Sequence, residues 1–83
     1  MDKETDKKIK LIWDFRGPAA ALTAEHHEKH LAEFNVIENM GNHITGFNHL
    51  TEMHSIAYLV VNASELREVR DILRPHRGEV FEP

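Results

Sequence analysis

Seven histidines are spread through 83 residues, at His26, His27, His30, His43, His49, His54 and His76, and the chain contains no cysteine. Imidazole titrates near neutral pH and ligates transition metals, so this composition points to proton transfer or to metal capture by nitrogen and oxygen. The same count excludes disulfides, thiolate zinc sites and cysteine nucleophiles. His26 and His30 stand one helical turn apart, the spacing at which two imidazoles grip one ion, with Glu25 and Glu33 on neighbouring turns. Because position 27 is itself histidine, the glutamate of the zinc-protease pattern is missing. His49 and His54 form a second pair if Thr51 and Glu52 make a tight turn, since directly opposed Cβ atoms lie about 5 Å apart across a hairpin. A two-fold axis nearby would bring the same pair from a second copy and complete four ligands. The expected metal ligands are therefore His26, His30, His49 and His54, and the expected ion is zinc, nickel or copper.

Acid/base catalysis is the competing chemistry. Asp14, Tyr58 and His43 converge at one end of a sheet whose first and third strands run parallel, with His49 as the other candidate base. An ion pair with Arg16 is the plainer role for Asp14. The sequence holds no nucleophile elbow, phosphate-cradling glycine loop or cofactor-binding motif. His27 falls within an apolar helical stripe and is expected as a hydrogen-bonded residue of the core or its rim.

The elements that must position these groups follow from periodicity. A charged segment covers residues 1–7, and one domain occupies 8–83. Lys8 to Phe15 is rich in β-branched and aromatic residues and reads as a strand. Gly17 and Pro18 break it, and Ala20, Ala24, His27, Leu31 and Phe34 recur at helical spacing up to about Asn35, with Pro18 or Thr23 at the start. Asn39 to Asn42 reads as a turn. Asn42 to Leu50 and Met53 to Val61 make a hairpin around Thr51-Glu52, a pair without the glycine or asparagine that tight turns favour. Asn62 or Ser64 caps a second helix, with Glu65 three residues after Asn62 and an apolar face of Leu66, Val69, Ile72 and Leu73; Pro75 ends it. Val80 and Phe81 make a fourth strand. This order resembles the ferredoxin-like βαββαβ sandwich over nearly the whole chain. The resemblance implies an α+β fold with a four-stranded antiparallel sheet and both helices on one face.

In the expected hairpin register, Ile44, Gly46, Asn48, Leu50, Met53, Ser55, Ala57 and Leu59 face the core, while Phe47, Ile56, Tyr58 and Val60 share the other face with His43, His49 and His54. That face is too apolar for water, and a domain this small gains burial by self-association, so a homodimer is expected, sheet against sheet or edge to edge. A net charge of −4 without a basic cluster argues against nucleic acid. No run approaches the ~20 apolar residues of a membrane span, and a cytoplasmic protein is expected. The functional expectation is a small binding protein that takes a metal or small ligand through histidine. The alternatives are a dimeric acid/base enzyme and an interaction subunit without a ligand.

Overall fold

The computed structural model describes residues 7–38 and 44–81. The expected turn over Asn39–Asn42, the side chain of His43 and all but the last residue of the charged 1–7 segment lie outside the described residues. Among these residues four strands and two α-helices follow in the order β1 (Lys8–Arg16), α1 (Ala20–Ile37), β2 (Thr45–Thr51), β3 (His54–Asn62), α2 (Leu66–Leu73) and β4 (Arg77–Phe81). The fold is α+β, with an open sheet of order β2-β3-β1-β4 in which every neighbouring pair is antiparallel.

Strand alternation divides this sheet cleanly. Ile9, Leu11, Trp13 and Phe15 of β1 lie on one face with Ala57, Leu59 and Val61 of β3, and residues of both helices (Leu31 and Phe34; Leu66, Val69 and Leu73) join the same hydrophobic cluster. Each fully buried leucine or valine there contributes roughly 2 kcal/mol of apolar transfer free energy. The Trp13 indole also donates to the Leu73 carbonyl at 3.2 Å, so its one polar atom is used to satisfy an orphan carbonyl at the end of α2. Of the core face expected from sequence, Ser55, Ala57 and Leu59 lie where expected, whereas Gly46 and Asn48 lie on the opposite face.

Local chemistry sets the boundaries. Gly17 takes φ +106° between β1 and α1, a conformation that only glycine adopts without strain. Thr23 does not cap α1; its hydroxyl donates to the Ala19 carbonyl within the helix. Asn62 begins the second helical segment through a 3₁₀ turn, and its backbone N–H donates to the Glu65 carboxylate at 3.0 Å, as the spacing predicted. Arg74 closes α2 in the left-handed conformation, φ 53°, immediately before Pro75. Strand β4 starts three residues earlier than expected, because Ile12 pairs with Arg77 and the N–H of His76 already donates to the Ile12 carbonyl.

The hairpin register differs from the expected one. Glu52 and Met53 form the turn, Thr51 stands opposite His54, and a bulge falls between His49 and Thr51. Beyond the bulge Phe47 opposes Ala57 and His49 opposes Ser55. This is a one-residue slip from the pairing of Phe47 with Ile56 and His49 with His54, and a one-residue slip moves every side chain of β2 to the other face. Thr45, Phe47 and His49 thus lie on the helix side. Neither turn residue has positive φ, so the turn is not of the primed types that match strand twist, and the bulge absorbs the mismatch.

The face without helices carries Ile12, Ile56 and Val60, yet these are only 1%, 5% and 1% exposed within the single chain. They sit on the two central strands among the longer side chains of Lys10, Asp14, His54 and Tyr58, and the Lys10 ammonium rests 4.4 Å from the centre of the Tyr58 ring. The expectation that the aliphatic residues of this face are bare is corrected: Ile12, Ile56 and Val60 are already sheltered within the single chain.

Candidate functional site

Two groups of polar side chains emerge from this frame. The first spans three strands on the helix-free face. Asp14 lies near the end of β1, with His54 diagonally across on β3 and Arg77 diagonally across on β4. His54 donates from Nε2 to Asp14 Oδ1 at 2.8 Å, and Arg77 donates from Nε to Oδ2 at 2.9 Å and from its terminal nitrogen to Oδ1 at 3.1 Å. The side chains of Asp14 and His54 are 16% and 18% exposed, against 48% for Arg77. Arg77 and His54 together hold the Asp14 carboxyl far below the usual carboxylate range, against the opposing effect of burial, and the carboxylate raises Arg77 in return. Behind this group the Asp14 backbone N–H donates to His76 Nδ1 at 2.8 Å, which places the proton of that neutral ring on Nε2. His76 therefore extends the β1–β4 ladder by one side-chain bond.

This geometry corrects the expected acid/base grouping. Strands β1 and β3 are antiparallel, so Tyr58 lies opposite Ile12 and engages Lys10. The third expected member, His43, is outside the described residues. His54 is the imidazole that reaches Asp14, and Arg77, not Arg16, is its ion-pair partner. Sequence reasoning missed Arg77 and His76, which lie over 60 positions from Asp14 and carry no local motif.

The second group lies on the exposed surface of α1. His26 and His30 meet Nε2 to Nε2 at 3.0 Å with their rings nearly perpendicular, and Glu33 stands 3.7 Å from His30 Nδ1. One Nε2 must carry a proton and the other a lone pair. The helical spacing thus brings together the pair it predicted. The other expected pair does not form: His49 is on the helix side beside Glu25 at 3.5 Å, and His54 is on the opposite face with Asp14. The physical reason is the register slip of β2. Among the described residues, no three histidine, aspartate or glutamate side chains are grouped to hold one ion.

His27 is half-buried at the rim of the core, without the hydrogen bond at Nε2 that was expected of it. Its ring lies 5.0 Å from Trp13 and 5.4 Å from Phe15, and its Nε2 is buried with no hydrogen-bond partner among the described residues. Burial, and then the nearby His30, His76 and His26, push its pKa below the ordinary histidine value. The unfolded chain consequently takes up a proton near pH ~6.5 that the folded chain resists, so folding stability should fall as the solution is acidified below that value. We expect the thermal midpoint to drop between about pH 7.5 and about pH 5, and His27→Phe to flatten that dependence. An unchanged pH profile in the variant would show that another group is responsible.

No helix is long and apolar enough to cross a membrane among the described residues. The sequence matches no family model, and comparison with curated proteins and with solved structures gives no match.

Proposed function

We propose that this chain is a small non-enzymatic binding module that takes a divalent transition metal, zinc, nickel or copper, through His26 and His30. The observation that carries the reading is the approach of the two Nε2 atoms to 3.0 Å on one helix face. Zinc–nitrogen bonds of about 2.0–2.1 Å at a tetrahedral angle set two ligand nitrogens roughly 3.3 Å apart, so a small rotation of either ring admits an ion in place of the shared proton. Glu33 beside His30 Nδ1 supports it, because a carboxylate behind an imidazole favours the tautomer whose Nε2 lone pair faces the metal. Water fills the remaining positions.

The scaffold in this reading is a ferredoxin-like split βαβ sandwich. Its support is the element order, the antiparallel pairing throughout and a core to which both helices contribute.

A second reading, acid/base catalysis at His54, is favoured by its 2.8 Å contact with Asp14. It ranks lower because that carboxylate is already committed to two bonds from Arg77, which makes the cluster a clamp between strands.

Calorimetric titration of tag-free protein with zinc, nickel and copper salts tests the proposal. His26→Ala and His30→Ala should each abolish binding, and Glu33→Gln should weaken it about tenfold. His49→Ala and His54→Ala should leave it unchanged. Absence of binding, or binding indifferent to His26 and His30, would overturn the reading.

A further inference from the structure

Helix α2 is only eight residues long and packs into the core through Leu66, Val69 and Leu73, so it leaves β4 largely uncovered. Gly78 stands opposite Leu11 and Val80 opposite Ile9, which puts both on the helix side of the sheet, yet Val80 is 54% exposed. A cleft of about 430 Å³ results between α2 and β4, within the roughly 300–1,000 Å³ of small-ligand sites. Ile9, Gly78 and Val80 line it from the sheet, Leu66 and Arg70 line it from α2 one helical turn apart, and His76 stands at the end where β4 begins. Gly78 keeps the cleft open. The three nearest atoms that a Cβ there would meet all belong to β1, at the ordinary contact distances of 3.5 and 3.6 Å, so the fold itself does not require a glycine at this strand position.

The uncommitted polar groups of this cleft are donors. His76 uses Nδ1 to accept the Asp14 N–H, so its Nε2 carries a proton that has no acceptor among the described residues. Arg70 is held only loosely, 3.8 Å from Asp71, with both side chains more than half exposed. Arg77 and Glu79 alternate onto the helix-free face, where Asp14 engages Arg77. We propose that the cleft binds a small carboxylic acid with an unbranched apolar tail. Its carboxylate accepts from the Arg70 guanidinium and the His76 Nε2–H, and its tail lies on Ile9, Leu66 and Val80. An apolar lining edged by a cation and a neutral donor complements an amphipathic anion, whereas a cationic ligand of the same shape would meet Arg70 as a like charge. The site uses neither His26 nor His30 and stands apart from metal binding.

Titration of isotope-labelled protein with octanoate, followed through its backbone amide resonances, tests this. Saturable shifts are expected at Arg70, Gly78 and Val80, with a Kd of about 1 mM, the range open to so small a ligand in an open cleft. Hexanoate should bind about tenfold more weakly, because two fewer methylenes are buried. Arg70→Gln should weaken octanoate about tenfold, while Arg70→Lys keeps most of the affinity. Val80→Glu, which sets a carboxylate at the mouth of the cleft, should abolish binding. Both positions are exposed, and an otherwise unchanged amide spectrum confirms that each variant folds. No saturable shift with octanoate up to about 10 mM, ten times the expected Kd, would overturn the proposal. So would shifts centred away from α2 and β4, binding indifferent to Arg70→Gln and Val80→Glu, or shifts at Gly78 and Val80 that follow protein concentration in place of octanoate and so put a second copy there.

Discussion

Replacing Asp14 by alanine is expected to destabilise the fold by about 2 kcal/mol, the order of magnitude for removing an acceptor bonded to charged donors. The carboxylate joins the ends of three strands: it accepts from His54 on β3 and twice from Arg77 on β4, while sitting on β1 between them. Its removal leaves His54, mostly shielded, with an unused donor, whereas Arg77 is half exposed and regains water. For that reason the coupling between Asp14 and Arg77 in a double-mutant cycle should be about 1 kcal/mol, well short of a fully buried pair. Because Asp14 is held far below the ordinary carboxylate range, the folded chain keeps it ionised where the unfolded chain has already bound a proton. Its stabilisation is complete above the unfolded value of about 3.9 and is lost as pH falls toward the folded value. Urea unfolding of wild type and Asp14→Ala at about pH 7 and about pH 3 measures both points. A gap that stays constant on acidification would show that the carboxylate contributes by shape and not by charge.

The second large effect is expected at Gly46. It stands opposite Tyr58, and the phenol lies over it so closely that an added Cβ would overlap the hydroxyl and the end of the ring. Gly46→Val should cost about 2 kcal/mol, since the ring must swing away and give up its place under Lys10. In a Tyr58→Ala background the same substitution should be neutral or stabilising, because valine is otherwise the better strand residue. Thermal melts of the four proteins decide the matter; an equal cost of Gly46→Val in both backgrounds would place the strain elsewhere.

Gly46 also explains where reading the sequence failed. Setting Thr51 and Glu52 as the turn put Thr45 across from Tyr58 and turned Phe47 and His49 toward the helix-free face. The observed register seats the glycine of β2 beneath the only tyrosine, a form of aromatic rescue that was legible in principle. The pairing of His49 with His54 failed with it, whereas His26 with His30 survived, because a helix sets its own spacing through local hydrogen bonds and needs no partner to fix it. Arg77 fell outside the expected fourth strand, since Arg-Gly-Glu shows no alternation; only pairing with Ile12 makes it strand.

Residue order alone determined the succession of elements, the core face of β3 and the histidine pair on α1. Each depends on periodicity or breakers within about a dozen residues, where intrinsic preference and alternation act directly. Tertiary structure decided the face that β2 presents and the meeting of Asp14, His54 and Arg77. A register shift of one residue changes little locally but inverts a strand, and contacts between residues 40 and 63 positions apart exist only once the sheet has closed.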